Sequence, residues 1–153
     1  MPPASERLAA PQGWLLDTNV VSELRRGARS NRAVLAWAQS VPPVACFPSE
    51  VTVAEIVMGI EPVDDVGFRT ELEDWLRDGV RAWFGSRILP VDAAMLLAGR
   101  RLIRDGAKTR YTYSQPNAMI AATALVHKLV VVTRNVEDFG IAGVAVLNPW
   151  SDI

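Results

Sequence analysis

The sequence predicts an α/β domain: a mostly parallel central sheet of about five strands with helices on both faces. Short apolar runs rich in β-branched residues recur along the 153-residue chain, separated by segments with helical patterning. The run LVVVT (129–133) is apolar at every position but the last, the signature of a strand buried on both faces. No internal repeat, low-complexity tract or linker divides the chain, and its length suits one domain with a real core.

The elements follow in order. Residues 1–12, from MPPASERLAAPQ, hold prolines, a Glu-Arg pair and no apolar h-region, so they predict a short disordered leader rather than a signal peptide. WLLD (14–17) is the first strand and VACF (44–47) the second, continuing toward Val51, with helical patterns near 19–26, 30–40 and 52–60. The longest helical stretch, 65–84, carries Phe68, Leu72, Trp75, Leu76 and Trp83 on one apolar stripe. Gly79 is expected to break it into two helices, and its tryptophans serve either the core or a dimer interface. RILPV (87–91), LVVVT and VAVL (144–147) supply the third, fourth and fifth strands, with helices near 92–106 and 117–127 between them.

The totals narrow the chemistry. Half the residues are hydrophobic and 22% charged, ordinary for a globular domain, and the net charge is −1. No apolar run reaches the roughly 18 residues that span a bilayer. Cys46 is the only cysteine, so no intrachain disulfide is possible and a reducing cytoplasm fits. His127 is the only histidine and lies in the helical AATALVHKLV, which reads as a structural or surface position. A His- or Cys-rich zinc site is therefore excluded, as is a two-histidine acid–base mechanism. Catalysis, if present, falls to carboxylates acting through a hard metal ion.

Open parallel sheets build sites at the carboxyl ends of their strands. The first strand ends in Asp17, Thr18 and Asn19; the fourth ends in Thr133, Arg134 and Asn135, with Glu137 and Asp138 following. Helices starting near that edge bring Glu55 and Asn117, and the third strand runs into Asp92. Each residue has a plainer reading. Asp17 and Asp92 suit helix N-caps, Thr52 and Glu55 form a T-x-x-E capping box, and Asp138 closes a turn. Pro116 and Asn117 are themselves good helix-start chemistry. Taken together at one sheet edge, the carboxylates would repel one another unless a cation neutralised them.

The pieces LLDTNVVSEL, TVAEIVMGI, ILPVD, PNAMIAATALVHKLVVVTRNVEDF and LNPW resemble, in that order, the PIN-domain ribonucleases. They are most similar to the VapC-type toxins of bacterial toxin–antitoxin pairs, in the FitB-like branch. The resemblance runs from Trp14 to Trp150 and makes 13–153 a single PIN-like domain. It implies an endoribonuclease dependent on Mg2+ or Mn2+, with its ions held by a carboxylate cluster. The family Asp falls on Asp17 and the family Glu on Glu55. The third acidic position lies in a motif that reads NAMIAATA here, so it is Asn117. The fourth falls on Asn135, where Asn is common in this branch, and Asp138 can supply the missing charge. Thr18, Asn19 and Thr133 would support the ligands or contact phosphate.

The resemblance thus makes Asn117 a ligand position without its charge, which implies a nuclease attenuated or inactivated, whether by design or naturally. Arg25, Arg26, Arg29 and Arg32 form a candidate RNA-binding group after Asp17; Arg100, Arg101, Arg104, Lys108 and Arg110 form a second basic group or a solvated helix face. Implied partners are RNA, a VapB-like antitoxin and a second copy of the chain, with no membrane. The competing reading is a catalytically silent PIN fold kept for binding RNA or an antitoxin. A receiver-like phosphoryl-transfer domain fits less well, because LLDTN offers one Asp and no well-placed Lys ends the last strands. P-loop and dinucleotide-binding glycine motifs are both missing.

Overall fold

The computed structural model of the chain describes residues 12–151, so the leader expected over 1–12 lies outside the described residues save for its last position. The described chain runs β1 (Trp14–Leu16), α1 (Thr18–Leu24), α2 (Arg32–Ser40), β2 (Cys46–Phe47), α3 (Glu50–Ile60), α4 (Val66–Asp74) and α5 (Ala82–Phe84). It continues through α6 (Ala93–Lys108), α7 (Gln115–His127), β3 (Val130–Val132), α8 (Val136–Ile141) and β4 (Val146–Leu147).

The four strands form one wholly parallel sheet in the order β2-β1-β3-β4. Leu15 sits opposite Val131, and Leu16 opposite Val132. Because side chains alternate across a strand, these pairs feed two cores. Leu16 and Val132 pack with Val20, Val53 and Ile56 from α1 and α3. Leu15 and Val131 pack with Ile120, Ala121, Ala124 and Phe139 from α7 and α8. Helices therefore cover both faces, as the unbroken apolar runs required.

The RILPV run forms no full strand among the described residues. Only Leu89 pairs, in a parallel bridge to Ser49. Its N–H donates to the Pro48 carbonyl and its carbonyl accepts from Glu50 N–H, both at 2.9 Å. Pro90 follows at once and has no N–H to continue a ladder. The bridge extends the sheet past β2 by a single residue pair.

Gly79 does not break the long helix. The chain passes from α4 through a π-helical segment, Trp75–Arg81, into α5. A Cβ on Gly79 would lie 2.7 Å from Trp75 Cδ1, so the missing side chain makes room for the indole one turn earlier. The helix ends instead at Gly85, whose φ of 52° suits glycine. The apolar stripe divides: Leu72, Trp75 and Leu76 pack on the core, while Trp83 stays 63% exposed and lines a groove with Leu24, Arg25 and Phe84.

Candidate metal centre

Asp17 follows β1 directly and caps α1, accepting from Thr18 N–H at 2.8 Å. It is nevertheless only 5% exposed. Its Oδ2 accepts from the Thr133 hydroxyl at 2.8 Å and from Asn19 Nδ2 at 3.5 Å. Cap and buried acid are thus one residue. Burial pushes its carboxyl above the ordinary range, and the Thr133 and Thr18 hydrogen bonds oppose that only in part.

Thr133 at the end of β3 is fully buried and organises the neighbourhood. While donating to Asp17, its hydroxyl oxygen accepts from Asn19 Nδ2 at 3.3 Å and from Asn135 N–H at 3.0 Å. The Asn19 amide oxygen accepts from Arg134 N–H at 3.2 Å, which ties the end of β3 to the start of α1. Thr133→Val keeps the shape but strips three groups of their partner. Of these only the Asp17 carboxylate is buried, so urea denaturation should show a loss of about 1–3 kcal/mol. A loss under half a kcal/mol would mean that water replaces the hydroxyl.

Glu55 is not half of a capping box. The N-cap of α3 is Ser49, whose Oγ accepts from Thr52 N–H at 3.3 Å, and Glu55 lies in mid-helix. Its carboxylate accepts the Thr18 hydroxyl at 2.8 Å. Burial raises its pKa; the Thr18 bond works against this and the nearby Asp17 charge adds to it. Two carboxylates thus meet at Thr18, Asp17 at its N–H and Glu55 at its hydroxyl.

A second centre forms on α7 and α8. Ser114, not Asn117, caps α7, and its Oγ accepts from Asn117 N–H at 3.3 Å. Freed from capping, the Asn117 side chain donates from Nδ2 to Asp138 Oδ2 at 2.7 Å. Asp138 closes no turn but stands in the first turn of α8. Its other oxygen accepts the Tyr111 hydroxyl, a bond that holds the phenol proton and raises the Tyr111 pKa to about 12. Asn135 precedes α8 without a side-chain cap bond, and its N–H joins Asp138's helix to Thr133. Glu55 and the N-terminal end of α7 (Gln115, Pro116, Met119) line one cleft of about 610 Å3.

The remaining singled-out residues lie away from these two centres. Arg25 is the C-cap of α1, so the arginine group begins at the far end of a seven-residue helix, roughly 12 Å along its axis from Asp17. Arg26 is held by Glu23 at 3.5 Å, Arg25 lies over the Phe68 ring at 5.7 Å, and Arg29 and Arg32 are exposed. Asp92 caps α6 through Met95 N–H at 2.9 Å and Glu137 is exposed. His127 ends α7, at the opposite end from Asn117. Two residues gained weight from the structure: Tyr111, and Arg134, whose guanidinium stacks at 5.3 Å on Trp150 beside the Asp17 network. Tyr111 stands in no pattern that flags it, since its partner lies 27 residues along the chain, whereas Arg134 belongs to the strand-end group.

The donors fit a hard divalent ion. They are oxygens only, and a buried, mutually repelling carboxylate pair is relieved by a cation. Yet among the described residues no three His, Cys, Asp or Glu side chains converge as a ready metal cluster. Mg2+ ordinarily needs only one or two carboxylates with water and phosphate oxygens.

Comparison with known proteins agrees with this geometry. The family description "PIN domain" matches residues 14–142. Toxin FitB of Neisseria gonorrhoeae is 37% identical over 139 residues, covering 90% of this chain and 99% of its own. The VapC ribonuclease Y4jK of Sinorhizobium fredii is 33% identical, covering 89% and 96%. The crystal structure of FitAcB from N. gonorrhoeae superposes with a TM-score of 0.83 at 33% identity, over 90% of this chain and 99% of that one. The fold, the strand-end Asp17 and these relatives together make this chain a member of the PIN-domain family, in the branch of the VapC ribonucleases and toxin FitB.

Proposed function

We propose that the chain is an endoribonuclease of the toxin–antitoxin type whose hydrolysis depends on Mg2+ or Mn2+, and that Asn117 attenuates it. The observation that carries this reading is the buried Asp17 carboxylate at the end of β1, which shares Thr18 with the Glu55 carboxylate. Asp17 and Glu55 would hold the ion on one side, and Asn117, Asp138 and Asn135 on the other. A bound divalent ion supplies polarisation of the scissile phosphate and an acidified water for attack. Thr133 and Asn19 keep the Asp17 oxygens oriented, and Thr18 does so for Glu55. Arg134, braced on Trp150, offers a cation to the RNA backbone beside the cluster. Arg25, Arg26, Arg29 and Arg32 would serve the RNA farther from the scissile bond.

The proposed partners are RNA, a VapB-like antitoxin and a second copy of the chain; no helix among the described residues is long and apolar enough to cross a membrane. The test is cleavage of total RNA with Mn2+ and with chelator. Cleavage that chelation stops supports the reading, and cleavage indifferent to chelation defeats it.

A second reading has a specific observation behind it. The Asn117 bond to Asp138 satisfies one carboxylate oxygen with a neutral amide, so the second centre holds together without an ion. A silent module that binds RNA or an antitoxin would need nothing more. RNA affinity unchanged by chelation, with no cleavage, would favour it.

A further inference from the structure

Asp138 is gripped from two sides by different parts of the chain. Asn117, in the first turn of α7, donates to Oδ2, and Tyr111, in the link before α7, donates to Oδ1. The placement of Tyr111 is built rather than incidental. Past α6 the chain turns through Arg110, whose φ is 59°, and Tyr111 N–H returns to the Gly106 carbonyl at 2.8 Å. That return needs a glycine at 106, because a Cβ there would lie 2.8 Å from the Tyr111 carbonyl oxygen and 2.9 Å from the Tyr113 ring. The Tyr111 ring then meets the Tyr113 ring edge-on, with centroids 4.9 Å apart, and Tyr113 is buried. Backbone and ring contacts thus aim one hydroxyl at one carboxylate oxygen.

Resting on the metal-dependent reading above, we propose that Tyr111 is a positioning residue for Asp138: its hydroxyl, acting with Asn117, fixes the orientation in which that carboxylate faces a divalent cation. A carboxylate with one donor on each oxygen cannot rotate freely. It keeps lone pairs for a cation while the two donors offset part of its charge. Partners of this kind, which touch a ligand and not the metal, are worth about ten- to a hundredfold in metal affinity. The link 109–114 therefore contributes to the site although it holds no acidic residue.

The test compares Tyr111→Phe with the parent by calorimetric titration with Mn2+ in the absence of RNA, and repeats the comparison with Asn117→Asp added to both. Phe keeps the ring against Tyr113 and removes only the hydroxyl. Tyr113→Phe is the control, as a neighbouring phenol not bonded to Asp138. Tyr111→Phe is expected to weaken Mn2+ binding by about tenfold or more. It should lower kcat for RNA with KM little changed and leave Tm within a few degrees, while Tyr113→Phe leaves Mn2+ affinity within twofold. Mn2+ binding that Tyr111→Phe leaves within twofold of the parent overturns the positioning role and spares the metal reading. Absence of Mn2+ binding in the parent and in Asn117→Asp alike overturns both.

Discussion

Asn117→Asp is expected to raise Mn2+-dependent RNA cleavage by about a hundred- to a thousandfold, the return expected from a few kcal/mol of restored electrostatic stabilisation. The reason is local. The Asn117 amide can lend an oxygen to a cation but no charge, and its nitrogen is committed to Asp138 at 2.7 Å. An aspartate at the same backbone position would lie against the Asp138 carboxylate without the amide donor that now joins them. Two such oxygens stay together only by sharing a proton or a cation. The substitution therefore turns a satisfied hydrogen bond into a demand for a metal ion.

The same substitution carries a stability signature that does not depend on turnover. Repulsion between residue 117 and Asp138 holds a proton on the pair in the folded state, raising its folded pKa above the unfolded value. The pair's contribution is then intact below the ordinary carboxylate pKa of about 4 and is lost as pH rises through the raised folded value. Without metal, Asn117→Asp should melt below the parent at pH 7 and match it near pH 3. Saturating Mn2+ should close the gap at pH 7, since a ligand bound only by the folded state stabilises it. Equal cleavage by both forms would remove Asn117 from the list of disabled ligands. Cleavage by neither would give the lead to the silent binding module.

The parts of this architecture legible from residues alone were those where local pattern and tertiary need coincide. LVVVT and WLLD are apolar because both faces of β1 and β3 are covered, so their period could be read directly. RILPV also reads as a short aliphatic run, yet Pro90 and a sheet edge leave it one paired residue. Gly79 carried a propensity signal for a break, but the Trp75 ring occupies the space a side chain would need, and the helix runs on. TVAE satisfied the capping-box pattern while Ser49, also three residues ahead of an available N–H, took the cap. What freed Glu55 for the site was Thr18, 37 residues away, which no local pattern reports. Tyr111 was invisible for the same reason, its partner lying 27 residues downstream. The arginines after Asp17 show the converse, since α1 separates in space residues that are neighbours in sequence.

Glu55→Gln should separate the electrostatic cost of the site from its use. Glu55 and Asp17 are both raised above the ordinary carboxylate range, Glu55 by burial and then by Asp17, and Asp17 by burial. Protonated, they cost the fold little. Their favourable contribution is complete below about pH 4 and disappears as pH climbs through the raised folded values, so at neutral pH the ionised pair works against folding. Gln keeps the oxygen that accepts the Thr18 hydroxyl at 2.8 Å, and it removes one charge together with its repulsion of Asp17. The metal-free Glu55→Gln protein should therefore melt above the parent at pH 7 and equal it near pH 3. It should also lose most of the parent's stabilisation by Mn2+, which for a one-site ligand at a hundred times its Kd is about 2.7 kcal/mol. RNA cleavage should fall at the same time, because the charge that burdens the fold is the one that holds the ion. A Glu55→Gln protein that is less stable at pH 7 and still fully stabilised by Mn2+ would make Glu55 a structural partner of Thr18, leaving Asp17 to bind metal without it.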